Sequence, residues 1–131
     1  MIRVFKDKTL LEGIDIALTN QLYVPGWALR PALETALKDS KAGFQCNHEL
    51  AIVFEDCKAI ALAFRNPDGF GDVYGWLQSV QIMAFCDESY RQRGFASQCV
   101  QAIKQPLDKA STGTASSHFF WGKHEVPVSA K

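Results

Sequence analysis

An excess of charge of either sign is missing from this sequence: its 14 lysines and arginines balance 14 aspartates and glutamates. A chain without a general field does not draw in nucleic acid or an anionic membrane surface, so a nucleic-acid partner is not expected and any recognition of phosphate has to be local. Long apolar runs are missing too. No stretch approaches the roughly 20 residues of a membrane span, and the opening Met-Ile-Arg-Val-Phe-Lys-Asp-Lys lacks the apolar centre of a secretory leader. We therefore expect a cytoplasmic protein with no membrane partner. Cysteine is limited to Cys46, Cys57, Cys86 and Cys99, whose spacing fits neither a Cys-x-x-Cys redox pair nor paired zinc ligands. Reduced thiols are expected, with Cys86 and Cys99 buried. There is no Walker sequence and no full Gly-x-Gly-x-x-Gly, which argues against the common nucleotide folds, and no repeat or low-complexity tract.

What is present suits one compact domain. At 131 residues and 47% hydrophobic, the chain can bury a single core without disulfides or metal, so one domain over residues 1–131 is expected. Ile2 to Phe5 read as a short first strand. Thr9 with Glu12 has the spacing of a capping box. Behind it Leu11, Ile14, Leu18 and Leu22 recur at helical spacing, which predicts a helix over 9–22. Pro25-Gly26 breaks the chain, and a second helix is expected to begin near Pro31, a residue suited to the first helical position. Leu33, Ala36 and Leu37 supply its buried face and Gly43 its end.

Leu50–Phe54 and Ala59–Phe64 are β-rich runs on either side of Glu55-Asp56-Cys57-Lys58, the pattern of a hairpin. A turn at Asn66-Pro67-Asp68-Gly69 then leads to a long third strand over 73–86, with Val80, Ile82, Ala84 and Cys86 on one face. Phe95, Cys99, Ala102 and Ile103 predict a helix over 94–105, stopped by Pro106. One or two short strands are expected between Ser111 and Val128. By the layer rules this order gives an α/β fold, a mixed central sheet flanked by helices.

The segment that carries chemistry runs from Ile82 to Ser97, where a strand leads through a charged turn into a helix. Arg91-x-x-Gly94-x-Ala96 sits on that junction. Small residues at 94 and 96 let a ligand approach the main chain, and the first amides of a helix lack intrahelical acceptors and carry the positive end of its dipole. Such a site suits a pyrophosphate, and Arg91 and Arg93 add charge where phosphates would lie. Without Gly94 and Ala96 the two arginines would read as ordinary surface charges.

Tyr90-Arg91-Gln92-Arg93-Gly94-Phe95-Ala96 resembles the signature of the GNAT superfamily of N-acetyltransferases, Arg/Gln-x-x-Gly-x-Gly/Ala after an aromatic-Arg pair at the end of the fourth strand. The preceding order of strand, two helices, hairpin, long strand and helix is similar to that family's as well. The resemblance implies a GNAT-like acyl-CoA N-acyltransferase fold with a shortened C-terminus. It also implies acetyl-CoA as co-substrate and an amine acceptor on a small molecule or protein. By it, Ala84, Phe85 and Cys86 pair with the pantetheine arm, while Arg91, Gln92, Arg93, Gly94, Phe95 and Ala96 form the pyrophosphate loop. The amine attacks the thioester directly, helped by groups that deprotonate it and protonate the leaving thiolate.

The chain departs from the family where those groups should be. The tyrosine that many members use as the acid has no counterpart in Ser116-Ser-His-Phe-Phe-Trp-Gly-Lys-His124, where His118, Ser116 and Ser117 are the substitutes on offer. No carboxylate replaces the family's fourth-strand glutamate; Asp72, Glu55 and Tyr74 are the nearest candidates for a base. The catalytic candidates are thus His118, Tyr74 and Asp72, with no one of them selected. A domain that keeps the fold but binds coenzyme A or a protein partner without turnover is the competing reading.

Other conspicuous residues have simpler explanations. His118 and His124 do not have the i, i+4 spacing of helical metal ligands, and no metal is expected. Trp27, Trp76, Trp121, Phe119 and Phe120 read first as packing residues, although Trp76 beside Tyr74 suits an acceptor cleft. Cys86 on a buried strand face behaves as a small hydrophobe rather than a nucleophile. The aromatic C-terminal stretch suits pairing with a second copy, so a homodimer is a further expectation.

Overall fold

A computed structural model of the chain describes residues 1–19, 28–44, 46–110 and 120–128. Its centre is the hairpin of β2 (Glu49–Glu55) and β3 (Lys58–Arg65), joined by Asp56 and Cys57 with φ of 52° and 63°. Two consecutive left-handed residues give the turn whose twist matches that of the flanking strands. Both strands are buried on both faces, which is why they read as continuous apolar runs rather than as alternation. β1 (Ile2–Lys6) pairs antiparallel with β2, Phe5 opposite Leu50, and β4 (Ile82–Cys86) pairs antiparallel with β3, Ala61 opposite Cys86 and Arg65 opposite Ile82. The sheet order is β1-β2-β3-β4. All its pairings are antiparallel, and the parallel contact is an isolated bridge between Ala110 and Val128.

Alternation along the strands divides the core into two layers. Phe5, Leu50, Ile52, Leu62 and Phe64 face α1 (Leu10–Thr19) and α2 (Leu29–Lys41); Ala51, Val53, Ala61, Ala63 and Ile82 face α3 (Phe95–Ile103). The fold is therefore α/β, with helices on both faces of the sheet, as the sequence pattern predicts. Among the described residues no helix is long and apolar enough to cross a membrane.

Several expectations are corrected in detail. The buried stripe of α1 is Leu10, Gly13, Ile14 and Ala17, while Leu11 is exposed. Adjacent leucines at 10 and 11 leave the phase of the helix ambiguous, and Gly13 decides it by letting the helix close on the Phe5 ring. Thr9 does not box with Glu12. Its hydroxyl accepts from the Lys6 amide and donates to the Lys6 carbonyl across a short 3-10 turn, and Glu12 pairs with Arg3 at 3.6 Å. α2 begins at Leu29, two residues before Pro31. In α3 the buried face is Cys99, Val100 and Ile103, with Ala102 exposed.

The long third strand over 73–86 is only Ile82–Cys86. Residues 66–80 instead fold on themselves: the amides of Gly69, Val73, Leu77, Gln78 and Val80 donate to carbonyls three residues back, with a 3-10 turn at Gly75–Leu77. Val80 lies in the α1/α2 layer, on the opposite face from Ile82 and Cys86. At the C-terminal end, Phe120–Lys123 make a helical turn that buries Trp121 against the α3 layer. Of the stretch from Ser111 to Val128 expected to hold one or two short strands, 120–123 is helical and Val128 makes only an isolated bridge; residues 111–119, and the readings placed on Leu22, Pro25-Gly26 and Trp27, lie outside the described residues.

Arg65, at the last residue of β3, joins these parts. Its Nε and second terminal nitrogen donate to Asp108 at 2.7 and 3.1 Å, and its other terminal nitrogen donates to Glu49 at 3.2 Å. Asp108 is 3% exposed and also accepts from the Gln105 amide at 2.9 Å. Removing one partner of such a buried pair leaves the other charge uncompensated. Asp108→Ala is expected to lower stability by about 3 kcal/mol, measured by urea unfolding, and Arg65→Met with Asp108→Leu to cost less than Asp108→Ala alone.

Candidate functional site

In the described sheet β4 is an edge strand, paired only with β3. The Asp87 amide donates to Ile60 and the Gln81 carbonyl accepts from Asn66, both toward β3. Alternation then turns the main-chain groups of Phe85 toward β3 as well, and those of Ala84 and Cys86 toward the other edge. Of the three residues expected to offer main chain to a ligand, Ala84 and Cys86 face away from β3, with the Cys86 carbonyl taken by Arg91, and Phe85 is used by the sheet.

Beyond Cys86 the chain turns twice. The Asp87 carboxylate accepts from the Ser89 amide at 3.0 Å and starts a 3-10 turn at Glu88–Tyr90; Gln92 and Gly94 then take φ of 66° and 81°, and α3 begins. A Cβ built on Gly94 meets nothing within 4 Å, so the main chain here faces open space. The helix ladder opens with the Gln98 amide on the Gly94 carbonyl, leaving the amides of Phe95, Ala96 and Ser97 without an intrahelical acceptor.

Cations collect around this point. Arg91 donates from Nε to the Cys86 carbonyl at 3.2 Å and lies 5.9 Å from the Phe85 ring centre; Arg93 and Lys58 lie 5.7 and 5.8 Å from the Tyr90 ring. Tyr90 meets Phe95 edge-on, which ties the turn to the helix. Among the described residues neither Arg91 nor Arg93 has a carboxylate partner. The structure thus brings Arg91, Gln92, Arg93, Gly94, Phe95 and Ala96 together at one exposed helix start, with Ala84 and Cys86 leading into it.

The two thiols beside this loop, Cys86 and Cys99, are buried. Burial pushes the Cys86 thiol up, with Arg91 opposing and Asp87 adding to the shift, and burial pushes Cys99 up to about 12. One contact escaped the sequence reading: His124 Nε2 lies 3.0 Å from Ser97 Oγ, within the first turn of α3. His124 is buried, its ring packs on Phe120, and its carbonyl accepts from Lys104 at 2.6 Å. A serine early in a helix is the only signal the sequence offers for it.

The catalytic candidates are not gathered here. Asp72 and Tyr74 belong to the 66–81 loop at the Ile82 end of β4, roughly 13 Å along the strand from Cys86 at ordinary strand rise. Asp72 lines a cavity of about 500 Å³ with His48, Asp39 and Asp68. His118, Ser116 and Ser117 lie outside the described residues. Glu55 is at the hairpin end of the sheet, the Cys86 end, away from the 66–81 loop. Among the described residues no cluster of His, Cys, Asp or Glu can hold a metal ion. A search of protein families, characterised proteins and solved structures finds no match to this chain.

Burial holds His48 below its ordinary value of 6.5 against the opposing pull of Asp72, Asp39 and Asp68, and burial with Lys104 and Lys123 lowers His124. Both rings are therefore neutral in the folded protein at pH 7, while the unfolded chain takes up protons as pH falls through about 6.5. Stability is lost wherever the unfolded state binds more protons, so it declines from pH 7 toward the lower folded pKa values. The urea midpoint is expected to fall between pH 7.5 and pH 5.5. His48→Phe keeps the stack on Phe64 and removes a ring nitrogen, Nδ1, that has no hydrogen-bond partner among the described residues; it should flatten that fall, and an unchanged slope would contradict the assignment.

Proposed function

We propose that the chain is an acetyl-CoA-dependent N-acetyltransferase of the GNAT type, moving an acetyl group from coenzyme A to an amine of a small molecule or protein. One observation carries the reading. An edge strand with outward main-chain groups at Ala84 and an outward amide at Cys86 leads through a short turn to a helix start bearing two arginines that have no carboxylate partner among the described residues, and an unobstructed Gly94. Helix amides and guanidinium groups together suit a pyrophosphate, and free strand amides suit the amide-bearing pantetheine arm. Fold order agrees with this: strand, two helices, hairpin, strand, helix.

In the reaction the amine nitrogen forms a bond to the thioester carbonyl carbon, the carbon–sulfur bond breaks, the nitrogen gives up a proton and the thiolate gains one. The work of this chain is to hold the co-substrate by its phosphates and arm and so present the thioester to the acceptor. The distance of Asp72 and Tyr74 from the loop favours a second reading, a domain that binds coenzyme A without turnover.

Calorimetric titration with acetyl-CoA, desulfo-CoA and ATP at one ionic strength tests the proposal. Saturable binding of both coenzyme A species without ATP is expected, and an acetylation assay over an amine panel then separates the enzyme from the binding module. Gly94→Glu places bulk and negative charge at the phosphate position, and should weaken acetyl-CoA by at least a hundredfold, about 2.7 kcal/mol. Its left-handed backbone costs a non-glycine residue only about 1–2 kcal/mol, so unfolding stays cooperative. Arg91→Ala should cost about tenfold. Unchanged affinity in Gly94→Glu would refute the site.

A further inference from the structure

A buried histidine from the C-terminal turn reaches the first turn of α3. His124 is 4% exposed, and its Nε2 lies 3.0 Å from Oγ of Ser97. Ser97 is the third residue of α3, and its amide is one of the three at that helix start without an intrahelical acceptor. Side chains in a helix lean toward its N-terminus, so this hydroxyl belongs to the end that Gly94 leaves open. Two contacts fix the imidazole from behind. Lys104, the residue after α3, donates to the His124 carbonyl at 2.6 Å, and the Phe120 ring centre lies 5.0 Å away. The turn is closed by the amides of His124 and Val126 on the carbonyl of buried Trp121. It therefore spans α3 from end to start and delivers one imidazole nitrogen to one hydroxyl.

A serine hydroxyl has one hydrogen to give. When Ser97 donates to an unprotonated Nε2, its lone pairs face outward and repel an anion. When Nε2 carries the proton and donates to Oγ, the Ser97 hydrogen is released for an acceptor at the helix start. The second arrangement suits a phosphate, and protonating the ring enforces it, because both nitrogens are then donors. The charges that act on His124 are Lys104 from the end of α3 and Lys123 from its own turn, with no carboxylate among them. Together with burial they hold the free ring below its ordinary 6.5, so at pH 7 neither arrangement is enforced.

We infer that His124 is a positioning residue for the proposed phosphate site, setting the Ser97 hydroxyl as a donor toward the bound diphosphate and coupling anion binding to proton uptake. The identity of the ligand as coenzyme A rests on the transferase reading above; the coupling does not. An anion that takes the Ser97 hydrogen favours a proton on Nε2, and by reciprocity a proton on the ring favours the anion. Affinity therefore rises as pH falls below about 6.5.

The test is calorimetric titration of the full chain with dephospho-CoA, whose diphosphate does not titrate near neutrality, at pH 7.5 and pH 5.5. Several-fold tighter binding is expected at the lower pH. Ser97→Ala should weaken binding about tenfold and abolish the rise. His124→Gln keeps a neutral donor at this place, so it should keep the affinity at pH 7.5 and lose only the rise; a merely structural role would lower affinity at both pH values and leave the slope. Because the two residues act as one unit, His124→Gln should change nothing further in Ser97→Ala. A pH-independent affinity in the natural chain, or a rise that survives in either variant, would overturn the inference. NMR with sulfate, which does not titrate in this range, separates it from the transferase reading. Shifts at the amides of Phe95, Ala96 and Ser97 and at the His124 ring, without binding of any coenzyme A species, would leave the coupling standing and remove the transferase. Coenzyme A binding with the His124 titration unmoved would do the reverse, and no binding of either anion would overturn both.

Discussion

Arg65 is a charged side chain drawn into the sheet's end, and it stays there because two carboxylates from distant parts of the chain reach it. Glu49 comes from the first residue of β2, across the hairpin, and Asp108 from the segment that leaves α3. Asp108 in turn holds the Gln105 amide, so the chain beyond α3 is bent back onto the sheet at a fixed place. Lys109 then accepts from the amides of Gln81 and Ile82 and donates to the Gln81 side chain, covering the start of β4. The C-terminal end of α3 is thereby tied to the Ile82 end of β4. Since α3 runs antiparallel to the strand it follows, its N-terminus lies at the Cys86 end, where the loop is. The geometry of the loop is set from the far end of the helix.

That arrangement gives the sheet two chemically opposite ends. Lys58, Arg91 and Arg93 stand with the positive helix terminus at the Cys86 end, while Asp39, Asp68 and Asp72 surround His48 at the other. A formal charge of zero conceals this separation completely. Local fields matter to a ligand within about a Debye length, roughly 8–10 Å, so each end acts on its surroundings without cancelling the other.

How much of this was legible from the sequence follows from how local each feature is. The hairpin and α3 were readable because their signals lie within a few residues: apolar runs around a polar turn, and Gly94 and Ala96 at a helix start. The 66–80 loop was not. Val73, Tyr74, Trp76, Leu77 and Val80 have strand composition, yet the amides of Val73, Leu77 and Val80 find acceptors three residues back and that of Tyr74 four residues back, so the segment closes on itself before β4 begins. The phase of α1 was lost on adjacent leucines. The cavity was invisible for another reason: Asp39, His48, Asp68 and Asp72 are individually ordinary, and only the meeting of α2, β2 and the loop gathers them. The Ser97–His124 contact is likewise a product of the C-terminal turn folding back.

Gln92 shows where constraint concentrates. A left-handed conformation costs a non-glycine residue about 1–2 kcal/mol, and glycine or asparagine at this position would relieve it. The turn already has one glycine, Gly94, two residues on. The Asp87-capped turn over Glu88–Tyr90 brings Arg91 back to the Cys86 carbonyl, and the left-handed residues at 92 and 94 then redirect the chain into α3 with Arg93 over Tyr90. A simple connection from strand to helix would need neither. Backbone strain of this kind persists where the surroundings enforce it and function benefits. Here the turn carries two cations ahead of an open glycine, followed by three helix amides without intrahelical acceptors.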